Sequence, residues 1–252
     1  MSNPVGEPQP THGFRPIDRS ALWDRAYHAL REELLGGRLV PGQRLLLRDL
    51  AAGLGVSLTP VRDAVNRLIA ERVLERGSSG QGGGAIVPMM RAVDFEELAL
   101  IRGDLEGRAA TRAAEIATTA DVKRLISVLD QMRRLISNGQ LQDYLALHRR
   151  FHFELYALAC MPVLAELIES LWLRCGPVLS YVIPDYVLQL KGTDLHAAAV
   201  DALRRSDGGA ASIAIRKDIS EAGLYITGLA DENGMIRPPG CPPARKSWAN
   251  SR

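Results

Sequence analysis

Cysteine is scarce in this chain. Its three examples in 252 residues, Cys160, Cys175 and Cys241, are scattered and form no Cys-x-x-Cys pair. That argues against a disulfide framework and a thiolate metal site, and suits a reducing compartment. Long apolar runs are missing too: none reaches the roughly 18 residues of a membrane span, and the first residues lack the basic start and apolar core of a secretory signal. The expectation is a cytosolic protein with no membrane partner. From Asp94 onward no alternating strand pattern occurs, which excludes a β-rich second half. Histidine is also rare, at five residues, yet two of them stand four apart in LHRRFHFELY, Leu147–Tyr156.

The remaining composition, 46% apolar and 24% charged, is that of a soluble globular protein long enough for two domains. A net charge of +2 names no partner by itself. Its distribution says more: 11 basic residues against 9 acidic over 1–90, 16 against 20 over 91–232, and 4 against none over 233–252. A mildly basic head on an acidic body fits a DNA-binding unit joined to a different kind of domain.

Proline, glycine and polar residues dominate 1–19 and 231–252, so both ends read as disordered tails. Between them, Ser20 can cap a helix with Trp23, Tyr27, Leu30 and Leu34 on one side, stopping at Gly36-Gly37. A Pro41-Gly42 turn and a short helix near Arg48–Leu54 follow. The next helix is expected to begin with Thr59 as N-cap and Pro60 at its first position. It would bury Val61, Ala64, Val65, Leu68 and Ile69 and expose Thr59, Arg62, Asp63, Asn66 and Arg67. VLER and AIVP, around the glycine-rich GSSGQGGG, read as two short strands. Three helices and a β-hairpin over 20–90 make a winged helix-turn-helix. From 94 to 230 the pattern predicts helices at 94–117, 121–137, 140–159, 162–180, 193–205 and 208–229, with Thr193 and Asp207 as caps of the last two. The fold class is mainly α: a winged helix-turn-helix followed by an all-α antiparallel bundle.

The exposed face of the Thr59 helix suits a major groove. Arg62 can donate to guanine or phosphate, and Ser57 and Thr59 can reach phosphate oxygens near the helix start. An ordinary solvated helix face is the competing reading. Residues 20–88 resemble the GntR family of bacterial transcription regulators, through the Gly-Arg-Leu-x-Pro-Gly turn (Gly37–Gly42) and the Gly-Val-Ser-x-Thr-Pro-Val-Arg run (Gly55–Arg62). The resemblance implies binding of double-stranded operator DNA, with contacts at Arg48, Ser57, Thr59, Arg62 and the wing glycines; Asn66 joins them from its place on the exposed face. It also implies a homodimer, because a single head reads few base pairs. One departure is Leu58, where the family commonly has arginine; leucine can touch a thymine methyl but cannot hydrogen-bond a base or phosphate.

On a helix, His148 and His152 share one face and could ligate one ion. His196 lies on the same face as Ala199, Val200 and Leu203, and Asp218 at the edge of the stripe Ile215, Ile219, Ala222. Surface histidines and a salt-bridged aspartate remain an alternative. Residues 94–229, opening with IRGDLEGRAATRAA, resemble the helical effector domain of the FadR branch, the FCD domain. Metal-binding members of that branch carry Asp-x-x-x-His on one helix, then a His, then another His about 22 residues later. Here the aspartate position holds His148 and the last histidine position holds Asp218, so three imidazoles and one carboxylate are kept with two exchanged. The resemblance therefore implies a divalent ion, Zn²⁺ or Ni²⁺, held by His148, His152, His196 and Asp218. It also implies a small carboxylate effector, with Arg102 either its second anchor or a salt-bridge partner of Glu106. Two further readings stay open: a metal-independent regulator binding an apolar or acyl ligand, and a small metallohydrolase. The latter lacks any His-Glu-x-x-His unit, and the chain is expected not to be an enzyme.

Overall fold

Residues 19–77, 84–182, 187 and 191–239 are described by the computed structural model of the chain. The expected tail 1–19 falls almost wholly outside them, as do the wing glycines between 78 and 83.

The head begins with α1 (Arg19–Leu35), whose apolar side Tyr27, Leu30 and Leu34 is buried. It stops where Gly37 takes φ +64°, a left-handed conformation that glycine enters without a Cβ clash. β1 (Arg44–Leu46) leads into α2 (Leu47–Leu54), closed by a left-handed Gly55. α3 (Leu58–Ala70) buries Val61, Ala64, Val65 and Leu68, while Ile69 is only partly covered. β2 (Glu75–Arg76) and β3 (Gly84–Ile86) complete a sheet of order β1-β3-β2, antiparallel throughout, with Leu45 opposite Ala85 and Arg76 opposite Ala85 on the other side. The sequence pattern did not reveal β1, because three residues with one inward leucine carry no alternation. α3 starts two residues earlier than expected, with Ser57 rather than Thr59 at the N-cap and Pro60 within the first turn. The first-turn amide that proline lacks has no helical acceptor in any case.

The body contains α4 (Ala92–Ile116), α5 (Thr119–Ser137), α6 (Leu141–Ala157), α7 (Pro162–Leu179), α8 (Lys191–Arg204) and α9 (Gly208–Thr227). α4 and α9 pack most extensively, with Ala109, Ala110, Ala113 and Ala114 buried on α4 and Ala211, Ala214 and Ile215 on α9. Small side chains let the two helices lie close. Asp207 caps α9 by accepting from the Ala210 amide at 2.9 Å. Thr193 does not cap α8: the helix starts two residues earlier and Thr193 is buried in its first turn.

Thr118 and Asp121 form a reciprocal capping box at the start of α5. Hydrogen bonds from Thr118 and Arg124 pull the Asp121 carboxyl down to about 2. Its contribution to stability is therefore complete above the usual value of 3.8 and is lost only as pH falls toward 2. An NMR titration of Asp121 should show a midpoint near 2; one at 3.8 would mean that the box is open in solution.

Order continues past 230, contrary to the expected tail. Asp231 accepts from the amides of Asn233 and Met235 and from Arg237 Nε, and Gly234 turns the chain at φ +74°. Ile236 is then buried, with its amide bonded to the Met90 carbonyl. Asp-Glu-Asn-Gly is a turn sequence, and one apolar residue after it suffices to anchor the segment.

Head and body touch through α1, α6 and α7. A Cβ on Gly176 would lie 2.4 Å from the Leu34 carbonyl oxygen, so only glycine lets α7 approach this closely. Arg31 pairs with Glu169 at 2.7 Å, and Arg149 grips both carboxylate oxygens of Glu32.

Candidate metal centre and DNA face

α6 presents His148, His152 and Tyr156 at successive helical turns. α8 brings His196 and α9 brings Asp218 to the same point. His152 Nε2 lies 3.2 Å from His148 Nε2 and 3.0 Å from His196 Nε2, and Asp218 Oδ2 is 3.4 Å from both His152 and His196. The four donor atoms all lie within 4.8 Å of one another. His152 and His196 are fully buried and Asp218 nearly so.

Converging lone pairs repel unless a proton or cation lies among them. Donors about 2.0–2.2 Å from a common ion sit roughly 2.8–3.6 Å apart along the edges of an octahedron or tetrahedron, a range that contains the four separations given above. The residues thus fit a divalent ion in donor type, number and spacing. Burial pushes His148 well below its usual value, helped by the neighbouring imidazoles, and burial lowers His152 despite the opposing pull of Asp218. Burial would raise Asp218, but His196 and His152 outweigh it and hold the carboxyl well below its usual range. Neutral imidazoles and an ionised carboxylate are the ligating forms.

Behind His152 stands a group of residues of which the sequence reading named only the Arg102–Glu106 pair. Its Nδ1 is 2.8 Å from the Tyr156 hydroxyl, which donates a short bond to Glu106. Trp172 Nε1 donates to Glu106 at 2.9 Å. Arg102 binds Glu106 at 2.6 Å, and its guanidinium lies 4.4 Å from the Trp172 ring centroid. Of the two roles expected for Arg102, the salt bridge is thus present; Arg102 nonetheless also lines a small cavity. That cavity, of about 40 Å³, is walled by Arg102, Tyr144, His148 and Asp218 together with Phe95, Leu179, Val187 and Ile219. It has room for only a few waters.

In the head, Arg48, Ser57, Thr59, Arg62 and Asn66 are all exposed. The Ser57 hydroxyl makes no capping bond. Leu58 is 37% exposed beside it. Arg67, on the same helix, is otherwise engaged: Nε bonds Glu71 at 2.8 Å and the guanidinium stacks 4.2 Å from the Tyr27 ring centroid. Among the described residues, Arg48 and Arg62 make no such tie.

Residues 22–87 match the family of bacterial regulatory proteins named gntR, and residues 97–221 match the FCD domain. The HTH-type transcriptional regulator McbR of Escherichia coli K12 is 35% identical over 153 residues, which cover 61% of this chain and 68% of McbR. The solved E. coli McbR structure superposes with a TM-score of 0.73 at 26% identity, over 81% of this chain and 96% of that one. The transcriptional repressor RspR of the same organism is 25% identical over 82% of this chain and 90% of its own.

Proposed function

The chain belongs to the GntR family of bacterial DNA-binding transcription regulators and carries an FCD effector domain, and from that premise we propose that it senses a small organic acid through a divalent ion, Zn²⁺ or Ni²⁺, in its helical body. The carrying observation is the convergence of three imidazole nitrogens and one carboxylate oxygen from α6, α8 and α9 beside a cavity edged by Arg102. An ion bound there would offer an electrophilic seat for a carboxylate, with Arg102, already paired with Glu106, edging the same cavity. At about 40 Å³ the cavity is too small for the rival long acyl ligand. Relatives named as regulators, and not as enzymes, leave the metallohydrolase without support. No helix among the described residues is long and apolar enough to cross a membrane, and cytoplasmic operator DNA is the partner that this reading requires.

α6 supplies a route from effector to DNA. Leu145 lines the cavity and also lies against Gly37, whose Cβ would be 3.2 Å from it. One turn further on, His148 faces the centre while Arg149 holds Glu32 of α1. A small displacement of α6 on effector binding would therefore move the head. The test uses metal-loaded protein and a DNA duplex that the protein itself selects from a random pool. Sugar acids, hydroxy acids and dicarboxylates are screened for a shift in unfolding temperature and in DNA affinity. One class is expected to change DNA affinity by about 5- to 150-fold, the range of ordinary allosteric coupling, and only in the metal-loaded form. Equal effects with and without metal would overturn the reading.

Reading a DNA site of useful length calls for two heads, and the homodimer proposed here has a candidate face. Leu100 and Leu224, each 74% exposed, and Ile213, 67% exposed, border a groove between α4 and α9 rimmed by Glu96, Asp104, Arg216 and Lys217. Clustered apolar exposure with charges of both signs at its rim suits a self-complementary two-fold contact. Leu224→Glu should convert a dimer to a monomer in analytical ultracentrifugation. A dimer unaffected by the change would place the interface elsewhere.

A further inference from the structure

We infer that Tyr156, oriented by Glu106, is a positioning residue that holds His152 as its Nδ1–H tautomer and leaves the Nε2 lone pair facing the cluster. The inference rests on the metal centre proposed above but concerns a feature that the metal-free protein must also show. Glu106 is completely buried and bonded to Arg102 Nε at 2.6 Å and Nη2 at 3.4 Å. Facing donors on every side, this carboxylate is an acceptor at both oxygens. Oε1 accepts from Arg102 and Trp172; Oε2 accepts the Tyr156 hydroxyl proton.

That hydroxyl has one proton, already given to Glu106. Toward His152 Nδ1, 2.8 Å away, Tyr156 can only accept. Nδ1 must then carry the hydrogen. A neutral imidazole has one, so Nε2 is left bare, 3.0–3.4 Å from the ligating atoms of His148, His196 and Asp218. The chain of bonds crosses α4, α7 and α6 and makes the same tautomer choice that a carboxylate imposes on a metal-bound histidine. The other fully buried imidazole provides a contrast: His196 Nδ1 has no hydrogen-bond partner among the described residues. Fixed orientation is thus built for His152, which makes it the preset donor of the cluster.

The test uses full-length, metal-free protein with ¹⁵N-labelled histidine. Long-range ¹H–¹⁵N spectra report which ring nitrogen bears the hydrogen, and His152→Gln assigns the signal. Wild type should show His152 as Nδ1–H. Tyr156→Phe should shift it toward Nε2–H and weaken Zn²⁺ binding, read by competition with a chromophoric chelator, by about 10- to 100-fold. Glu106→Gln provides a second, chemically opposite variant. Its amide can donate to Tyr156, whose hydroxyl then donates to His152 Nδ1 and reverses the tautomer. A merely structural tyrosine would lower stability and leave the tautomer alone. His152 as Nε2–H in wild type, or an unchanged tautomer in both variants, would overturn the inference. A wild type that shows Nδ1–H, with the expected reversal in the variants, but takes up no Zn²⁺ would uphold the positioning role and remove the metal reading.

Discussion

Purified protein dialysed without chelator is expected to hold about one divalent ion per chain, and His148→Ala and Asp218→Ala to hold almost none. Loss of one ligand in four should weaken binding by at least about 100-fold, the upper end of what losing an outer-shell partner produces. The difference also appears in stability. An ion that binds only the folded state contributes about 2.7 kcal/mol at 100 times its Kd. For a chain of this size that raises the unfolding temperature by roughly 5–10 °C, and addition of metal should give that rise in wild type and not in the variants. Both residues edge the cavity, and Asp218→Ala also removes the carboxylate against which His152 and His196 are placed at 3.4 Å. Both variants should lose the ion equally. Equal metal content in wild type and both variants would locate the ion elsewhere. No metal in wild type, even after reloading, would leave Asp218 as an ordinary buried partner of two histidines.

The four candidate ligands were legible in sequence because the family resemblance pointed to them and each element is local: an i, i+4 pair on one helix, and single residues on the inward stripes of two others. The structure places the four side chains around one point. Glu106, Tyr156 and Trp172 were not legible in the same way. Tyr156 is 50 residues from Glu106 and Trp172 is 66 residues from it, so nothing but the packing of three helices joins them. A weak signal did exist, since Tyr156 continues the His148–His152 stripe by one more turn. Helix boundaries were read to within a few residues where caps and glycines mark them, as at Gly55 and Asp207. They slipped where side-chain chemistry was ambiguous: Ser57 and Thr59 are both good N-caps, and the helix begins after the earlier one. The ordered turn after Ala230 was hidden by the prolines that follow it.

The second large effect is expected at the DNA face, where α3 separates two kinds of arginine. Arg67 and Arg62 are both exposed on that helix, but Arg67 is engaged by Glu71 and the rings of Tyr27 and Trp23. Among the described residues Arg62 has no comparable tie, so its guanidinium can meet a guanine or phosphate without breaking an internal bond. Arg62→Ala should therefore weaken binding to the selected duplex by about 5- to 150-fold, the value of one good bidentate contact, with the unfolding temperature nearly unchanged. Arg67→Ala should do the reverse, lowering stability more than DNA affinity. Leu58, beside the uncapped Ser57 hydroxyl, separates base reading from phosphate holding. If it rests on a thymine methyl, Leu58→Ala should weaken binding only to duplexes bearing that thymine. Leu58→Arg should strengthen binding to all duplexes and steepen its salt dependence by about one counterion. Anisotropy titrations at two salt concentrations read all four variants. Arg62→Ala binding at wild-type strength would exclude this face of α3 from the groove.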